Sequence, residues 1–447
     1  MPDKSITQAL AQAVTSLRFE SLPDAVVEKA KHLVADTLLV AAPGRAEPAS
    51  AMSAATGSAP GNSRIWFAPE ADSRAALDAT FINTLNAGAL DYDSLNGAVH
   101  ADLVTLGAAW AMAEHCERRP RDMLAAQVIA SEVVSRLSRG AGQPSKGWSG
   151  TSIYGGLGAA IASGLMLGLD EAQMAHALGL AASQAAGTQQ ANIENTLAKR
   201  LQPALAARTG VFAALLAQAG ATAPTFALEG KFGLRALYQS GDDSRVLDGW
   251  GTDWQLLDTM TKRYPICACS HAAVHALWEL QTREGFTPEQ VAQVKASISP
   301  FMQRLVGGEF VAVGDLQVVA QFNLRYQLAS TLLRGPVQLE HLASACVLDP
   351  AIAQWLPAIS LQIDIDNPHE LTPASITVVL KDGRSLTHTC HDLPGSRQSP
   401  MTAAQWRAKA LECATAGRLT DAYLSTLLGN LAQLPELPSL ACVWSSQ

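Results

Sequence analysis

The chain has 447 residues, a formal net charge of −8, and a composition that is 48% hydrophobic and 16% charged. This length allows two domains with separate cores, and the excess of hydrophobic over charged residues excludes an intrinsically disordered chain. The acidic charge argues against nucleic acid as a partner, so an anionic ligand would have to meet a local cluster of basic side chains.

The first part of the chain predicts a succession of amphipathic helices. Apolar side chains recur there at helical spacing, and small residues such as Gly155 and Gly158 allow neighbouring helices to approach closely. Residues 150–169 come closest to a membrane span, but their glycines and hydroxyl side chains favour a buried helix, and no membrane association is expected. The predicted helices cover residues 24–41, 72–89, 103–116, 120–137, 151–167, 171–186 and 201–219.

The pattern changes after Pro265. A helix over residues 271–283 is followed by alternations typical of strands, and the turn Lys381-Asp382-Gly383-Arg384 predicts a hairpin. The predicted strands cover residues 291–298, 361–365, 375–380 and 385–389, and after a linker over 394–400 helices return over 402–416 and 419–431. We therefore predict a mainly α protein: residues 1–265 and 398–447 form a large all-helical domain, and residues 266–397 form a smaller inserted α+β lid domain.

The cysteines show no disulfide framework. Seven cysteines are scattered along the chain, and this favours a reducing cytoplasm. Cys267 and Cys269 precede His271 and His275, which are four residues apart and would share a helix face. The Cys-X-Cys spacing is unusual for zinc and has no second half, so we interpret both thiols as core residues and expect neither a metal nor another cofactor.

Residues 86–100 bring two carboxylates and an imidazole into a turn-rich segment between helix-prone runs. Asp91 and Asp93 are too close in sequence to share a helix face, and Asn96-Gly97 interrupts the segment before His100. Helices can hold such a loop while its polar groups perform chemistry, although a surface loop with a capping Asp explains these residues equally well.

Further motifs accompany this loop over nearly the whole chain. They are Leu22-Pro23-Asp24-Ala25-Val26-Val27, Ala35-Asp36-Thr37-Leu38, Leu90-Asp91-Tyr92-Asp93, Val99-His100, Gly147-Trp148-Ser149-Gly150-Thr151, Leu167-Gly168-Leu169-Asp170, Ala177-Leu178-Gly179-Leu180-Ala181, Ala198-Lys199-Arg200-Leu201, Leu228-Glu229-Gly230, Lys262-Arg263-Tyr264-Pro265 and Phe322-Asn323-Leu324-Arg325-Tyr326. Their order and spacing resemble the MmgE/PrpD family of 2-methylcitrate dehydratases, cis-aconitate decarboxylases and iminodisuccinate epimerase.

The resemblance implies a homodimeric enzyme with its active site in the cleft between the two domains. Simpler interpretations exist for several positions: Lys199 as a solvent-exposed lysine at a helix start, Lys262 as a charged linker residue, and Tyr326 as a core residue. The implied catalytic residues are Asp91, His100, Lys199, Lys262, Tyr326 and Tyr154, and the implied substrate-binding residues are Asp93, Ser149, Arg200, Arg263 and His271.

These groups suit proton transfer next to a carboxylate of a small di- or tricarboxylate. Removal of a carbon-bound proton needs a base and cationic partners for the developing charge. A lysine in a desolvated cleft could have its pKa lowered toward neutrality and act as that base, while Asp91 orients or polarises His100.

The chain departs from the family pattern at several positions. Ser149 and Gln202 stand where the family often has His, Leu95 where it often has Thr, and Ala101 where Pro usually follows the loop His. Because these changes remove acid–base or hydrogen-bonding groups, they favour a cofactor-independent epimerase resembling iminodisuccinate epimerase. The alternative is a lyase similar to 2-methylcitrate dehydratase or cis-aconitate decarboxylase. A non-catalytic binding protein is a second alternative, although it would have no reason to keep these dispersed polar groups.

Overall fold

The computed structural model describes residues 5–54, 58–141, 147–238 and 241–445, and it is mainly helical with one small mixed sheet. The helices are α1 (Ile6–Ser16), α2 (Asp24–Gly44), α3 (Pro48–Ala54), α4 (Ala76–Gly88), α5 (Ala101–His115), α6 (Pro120–Arg139), α7 (Gly150–Leu167), α8 (Glu171–Ser183), α9 (Gln190–Ile193), α10 (Ala198–Gln218), α11 (Leu234–Leu237), α12 (Ala268–Glu284), α13 (Pro300–Val306), α14 (Leu316–Gln321), α15 (Leu324–Arg334), α16 (Ser344–Val347), α17 (Pro350–Trp355), α18 (Ala403–Ala416) and α19 (Asp421–Ala432). The strands are β1 (Pro60–Ser63), β2 (Val291–Ile298), β3 (Ile359–Ile363), β4 (Ala374–Leu380) and β5 (Ser385–Cys390).

Helix α7 lies inside the helical part of the molecule and packs against α5, α6, α8 and α10. Its contact with α10 is close because a Cβ on Gly210 would lie 2.4 Å from the carbonyl oxygen of Gly156. Within the described ranges, α7 is the helix long and apolar enough to cross a membrane, but 83% of that window is buried. That environment is the one expected of a core helix, in agreement with the sequence prediction.

The sheet has the strand order β3-β2-β4-β5, in which β2 and β3 are parallel and the other neighbours are antiparallel. The predicted hairpin is confirmed: Val379 pairs with Ser385, and Gly383 has a φ of 91° in the turn between them. Along β4 the side chains alternate, so that Ile376 and Val378 are buried beneath α12.

The apolar residues form two main cores. One core joins residues between Leu10 and Leu256 with residues between Leu427 and Trp444, and the other joins residues between Tyr264 and Cys390. The C-terminal segment therefore packs with the N-terminal helices in a single apolar core. The exact domain boundaries at residues 265 and 397 stay a prediction.

Several local features differ from the sequence expectations. Helix α2 continues through Pro43 to Gly44, because a proline in the last turn removes one hydrogen bond without interrupting a longer helix. Helix α12 begins at Ala268, three residues before its predicted start. Strand β1 and the short helices α13, α14, α16 and α17 are absent from the prediction, because elements of four to seven residues carry too little periodicity to be recognised. The 11-residue helix α15 is absent from it as well.

Candidate active site

A cavity lies where the loop before α5, the starts of α7, α10 and α12, and the segment around Phe322 meet. Its volume is about 130 Å³, similar to the cavity of about 150 Å³ that holds one benzene molecule. A small organic acid therefore matches it in size. The predicted site residues that line it are Asp91, Asp93, His100, Ser149, Lys199 and Lys262.

The loop between α4 and α5 turns two carboxylates toward this cavity. Asp91 has a φ of 52°, a left-handed conformation that is uncommon for a residue other than glycine and that Asp tolerates better than most. Tyr92 points away, with its ring 4.2 Å from the ammonium group of Lys409 and its hydroxyl donating to Glu412 over 2.9 Å. Because Tyr92 packs behind the loop, Asp91 and Asp93 share the cavity side.

Two lysines hold the carboxylate of Asp91. The Lys199 ammonium contacts Oδ1, while Nζ of Lys262 lies 3.0 Å from Oδ2 and donates to the Asp91 carbonyl over 2.7 Å. Burial alone would raise the pKa of Asp91, but both ammonium charges outweigh it and hold that pKa well below its usual range. Burial would likewise lower the pKa of Lys262, yet the Asp91 charge outweighs it and raises that pKa above its usual value. The expectation that desolvation lowers the pKa of a cavity lysine toward neutrality is therefore wrong for Lys262.

His100 is oriented by Asp93. Its Nδ1 lies 2.7 Å from Oδ2 of Asp93, whereas its Nε2 lies 4.0 Å from Oδ1 of Asp91. The expectation that Asp91 orients His100 is corrected accordingly. A proton on Nδ1 donated to Asp93 leaves Nε2 on the cavity side, where it can exchange a proton with a ligand. The backbone N–H of His100 donates to Thr151 over 3.0 Å and fixes the end of the loop.

Four helices begin at the cavity. Helix α5 follows His100, α7 follows Ser149, α12 follows Cys267, and Lys199 is the second residue of α10. The side chain before each of these helices accepts no hydrogen bond from the first turn. The positive ends of these four helix dipoles therefore favour an anion at the cavity, where Lys199 and Lys262 balance the charges of Asp91 and Asp93.

Three aromatic residues of the predicted site do not line the cavity. The Tyr154 hydroxyl accepts a hydrogen bond from Arg235 over 2.6 Å, and the Tyr326 hydroxyl donates to the carbonyl of His341. His271 lies 3.3 Å from the carbonyl of Ile266. Burial raises the pKa of Tyr326 to about 12 and lowers that of His271 to about 3. These side chains are packed inside the protein because they lie on buried helix faces, and the structure does not bring them to the cavity.

The two predicted arginines also lie outside the cavity lining. Arg200 donates to Gln321 over 2.7 Å, and the Gln321 amide in turn donates to the carbonyl of Leu90. Arg200 thus supports the peptide that precedes Asp91. The guanidinium of Arg263 lies over a neighbouring tyrosine ring, 5.6 Å from its centre.

Several cavity residues were not selected from the sequence. Cys267 and Cys269 belong to the second core, as the sequence predicts, and both also line the cavity. Their position just after the Lys262-Arg263-Tyr264-Pro265 motif could have indicated that they line the cavity. Phe322, which the sequence indicates only as the first residue of a motif, places its ring 4.9 Å from Nζ of Lys199. Gln202, noted as a departure from the family pattern, also lines the cavity.

A metal ion fits this cluster poorly. The ligand atoms of Asp91, Asp93 and His100 lie within 4.8 Å of one another, a composition that suits a divalent cation. Both carboxylate oxygens of Asp91 already contact ammonium groups, however, and these would repel a cation. Metal independence stays a prediction that chelation can test.

The fold and the cavity together define a mainly helical protein with a histidine–aspartate pair beside two lysines that hold a second aspartate. The family model described as the MmgE/PrpD N-terminal domain matches residues 8–247, and the model described as the MmgE/PrpD C-terminal domain matches residues 264–422. The chain therefore belongs to the MmgE/PrpD family, as its motifs indicate.

Its relatives include proteins named as decarboxylases. The cis-aconitate decarboxylase-like protein oryM of Aspergillus oryzae is 26% identical, and the match covers 98% of each chain. Cis-aconitate decarboxylase of Homo sapiens is 26% identical over 89% of this chain and 85% of its own, and the Mus musculus protein of the same name is 26% identical over 91% and 86%. These names support the lyase alternative and do not support the epimerase expected from the sequence.

Proposed function

We propose that this protein is a lyase that decarboxylates a small tricarboxylate of the cis-aconitate kind without a metal or organic cofactor. The observation that carries this proposal is that the Asp93-oriented His100 and the Lys199 ammonium approach the same oxygen of Asp91. A proton donor and a cation thus lie within a few ångströms of each other, next to a cavity of suitable size. The relatives named above support the reaction class.

The two lysines have different roles in this proposal. The side chain of Lys199 is 18% exposed and lies at the start of α10, whereas that of Lys262 is 1% exposed. Lys199 can therefore pair with a substrate carboxylate, while Lys262 holds the backbone and carboxylate of Asp91 in place. The starts of α5, α7 and α12 bind the remaining carboxylates through their N–H groups.

The chemistry requires one bond cleavage and one proton transfer. The bond between carbon and the departing carboxylate breaks, carbon dioxide leaves, and its bonding electron pair remains on the substrate. A neighbouring carboxylate paired with Lys199 stabilises this charge. Protonated His100 then delivers its Nε2 proton to carbon, and Asp93 stabilises the imidazolium before the transfer.

A test is to incubate the purified protein with cis-aconitate and a panel of related di- and tricarboxylates in heavy water. The proposal predicts carbon dioxide release with one deuterium bound to carbon in each product molecule. Loss of water would instead identify a dehydratase, and hydrogen exchange without loss of mass would identify an epimerase. Absence of exchange with every compound would favour a binding protein.

We also propose that the protein is a cytoplasmic homodimer, as the family resemblance implies. Exposed apolar side chains on α10 support a contact with a second copy, since Leu205 and Phe212 are 51% and 52% exposed. Sedimentation analysis tests this assembly, and a monomer at micromolar concentration would contradict it.

A further inference from the structure

The cavity contains a pair of thiols that the proposed reaction does not use. Cys267 and Cys269 both line it, two residues apart in the sequence. Cys267 directly precedes the 17-residue helix α12, so its sulfur lies at the positive end of that helix. Lys262 belongs to the same wall of the cavity.

These surroundings distinguish Cys267 from the other buried cysteines. The neighbouring Cys269 and the charge of Lys262 stabilise the thiolate of Cys267 against burial and the charge of Asp91, so its pKa lies below the usual value. By contrast, burial raises the pKa of Cys390 to about 12. The thiolate is the nucleophilic form of cysteine, and Cys267 reaches the cavity where a small molecule can meet it.

We propose that Cys267 is a nucleophilic thiol of this cavity and a site of covalent modification by small electrophiles that carry a carboxylate. The Lys199 ammonium and the helix starts attract the carboxylate, and this places the electrophilic carbon beside the sulfur. With a haloacetate, the sulfur–carbon bond forms as the carbon–halogen bond breaks, the halide leaves with the electron pair, and the thiol proton passes to solvent. This inference does not depend on the lyase assignment.

The test compares iodoacetate, which is an anion, with neutral iodoacetamide, and measures the modification of each cysteine by peptide mass spectrometry. Cys442 is partly exposed, does not line the cavity, and acts as an internal reference. Relative to Cys442, Cys267 should prefer iodoacetate over iodoacetamide by roughly tenfold or more, because the Lys199 ammonium and the helix starts attract the carboxylate. Modification of Cys442 before Cys267, or equal preference at both thiols, would overturn the proposal.

Three variants separate charge attraction from general reactivity. In Cys269→Ser the hydroxyl keeps a hydrogen-bond donor, so Cys267 should keep its preference for iodoacetate, whereas Cys267→Ser should lose the label from this peptide. In Lys199→Gln the preference for iodoacetate should fall while the rate with iodoacetamide changes little. An unchanged preference in Lys199→Gln would show that the cavity does not select the carboxylate.

Discussion

Replacing Asp93 with Asn tests the acid–base pair directly. The substitution keeps the size of a buried side chain that is 1% exposed, and it removes the negative charge 2.7 Å from Nδ1 of His100. An amide that donates to Nδ1 would also move the proton of the neutral ring to Nε2. His100 would then lose both the stabilisation of its protonated form and its correct tautomer.

The size of the effect follows from the hydrogen bond. A charge-assisted hydrogen bond contributes about 1.5–3 kcal/mol, and about 1.4 kcal/mol corresponds to a tenfold change in rate. We therefore expect kcat for Asp93→Asn to fall roughly ten- to 150-fold. The KM should change much less, because Asp93 binds His100 and not the substrate.

A matched control is Asp102→Asn. Asp102 is equally buried and accepts hydrogen bonds from Ser94, Gln127 and Ser131 over 2.7, 2.8 and 2.9 Å, but it does not line the cavity. Steady-state kinetics and thermal unfolding of both variants separate catalysis from folding. If Asp93→Asn keeps kcat within twofold, or if both variants lose activity equally, the role assigned to Asp93 is refuted.

Three further predictions concern charge. Lys199→Met should raise KM about tenfold or more with a small change in stability. Lys262→Met should instead lower the free energy of unfolding in denaturant by about 3–5 kcal/mol, because Asp91 stays buried with one partner fewer. Equal behaviour of the two variants would contradict their separate roles. Burial raises the pKa of Glu114 from 4.5 to about 7, so its contribution to stability is complete below pH 4.5 and is lost as the pH rises through about 7. Thermal unfolding of wild type should show this loss, and Glu114→Gln should show a smaller one, because Asp36, whose pKa burial raises to about 6, still titrates. Exhaustive chelation should leave kcat unchanged, and loss of activity restored by one metal would disprove metal independence.

Much of the secondary structure was predictable because long periodic segments determine it locally. Strand β2 was predicted at its observed bounds, and α6 differs from its prediction only at its C-terminal end. The start of α12 was less visible, because Pro265 and the small polar residues after it obscure the helical period. That difference of three residues matters, since it makes Cys267 the residue before the helix and turns it toward the cavity.

The site was predictable only in outline. Motif positions indicated the loop and both lysines, but they could not indicate which carboxylate faces His100. That choice depends on Tyr92, whose carbonyl accepts from Lys409 over 2.9 Å. Lys409 also pairs with Asp36 over 2.6 Å. Contacts between residues more than 300 positions apart in sequence thus orient the loop, and a local pattern does not contain them.

The number of protons in the reaction connects the cavity with the choice of function. Decarboxylation consumes one proton per turnover, whereas epimerisation removes a proton from one face of a carbon and returns one to the opposite face. His100 supplies one imidazole, and Ser149 and Gln202 line the cavity where the family often carries histidines. A reaction on two faces would therefore need a second acid–base group besides His100, and Lys199 and Cys267 both line the cavity. One deuterium in the product and none in recovered substrate fits a lyase with a single histidine, whereas deuterium in recovered substrate without carbon dioxide release would restore the epimerase.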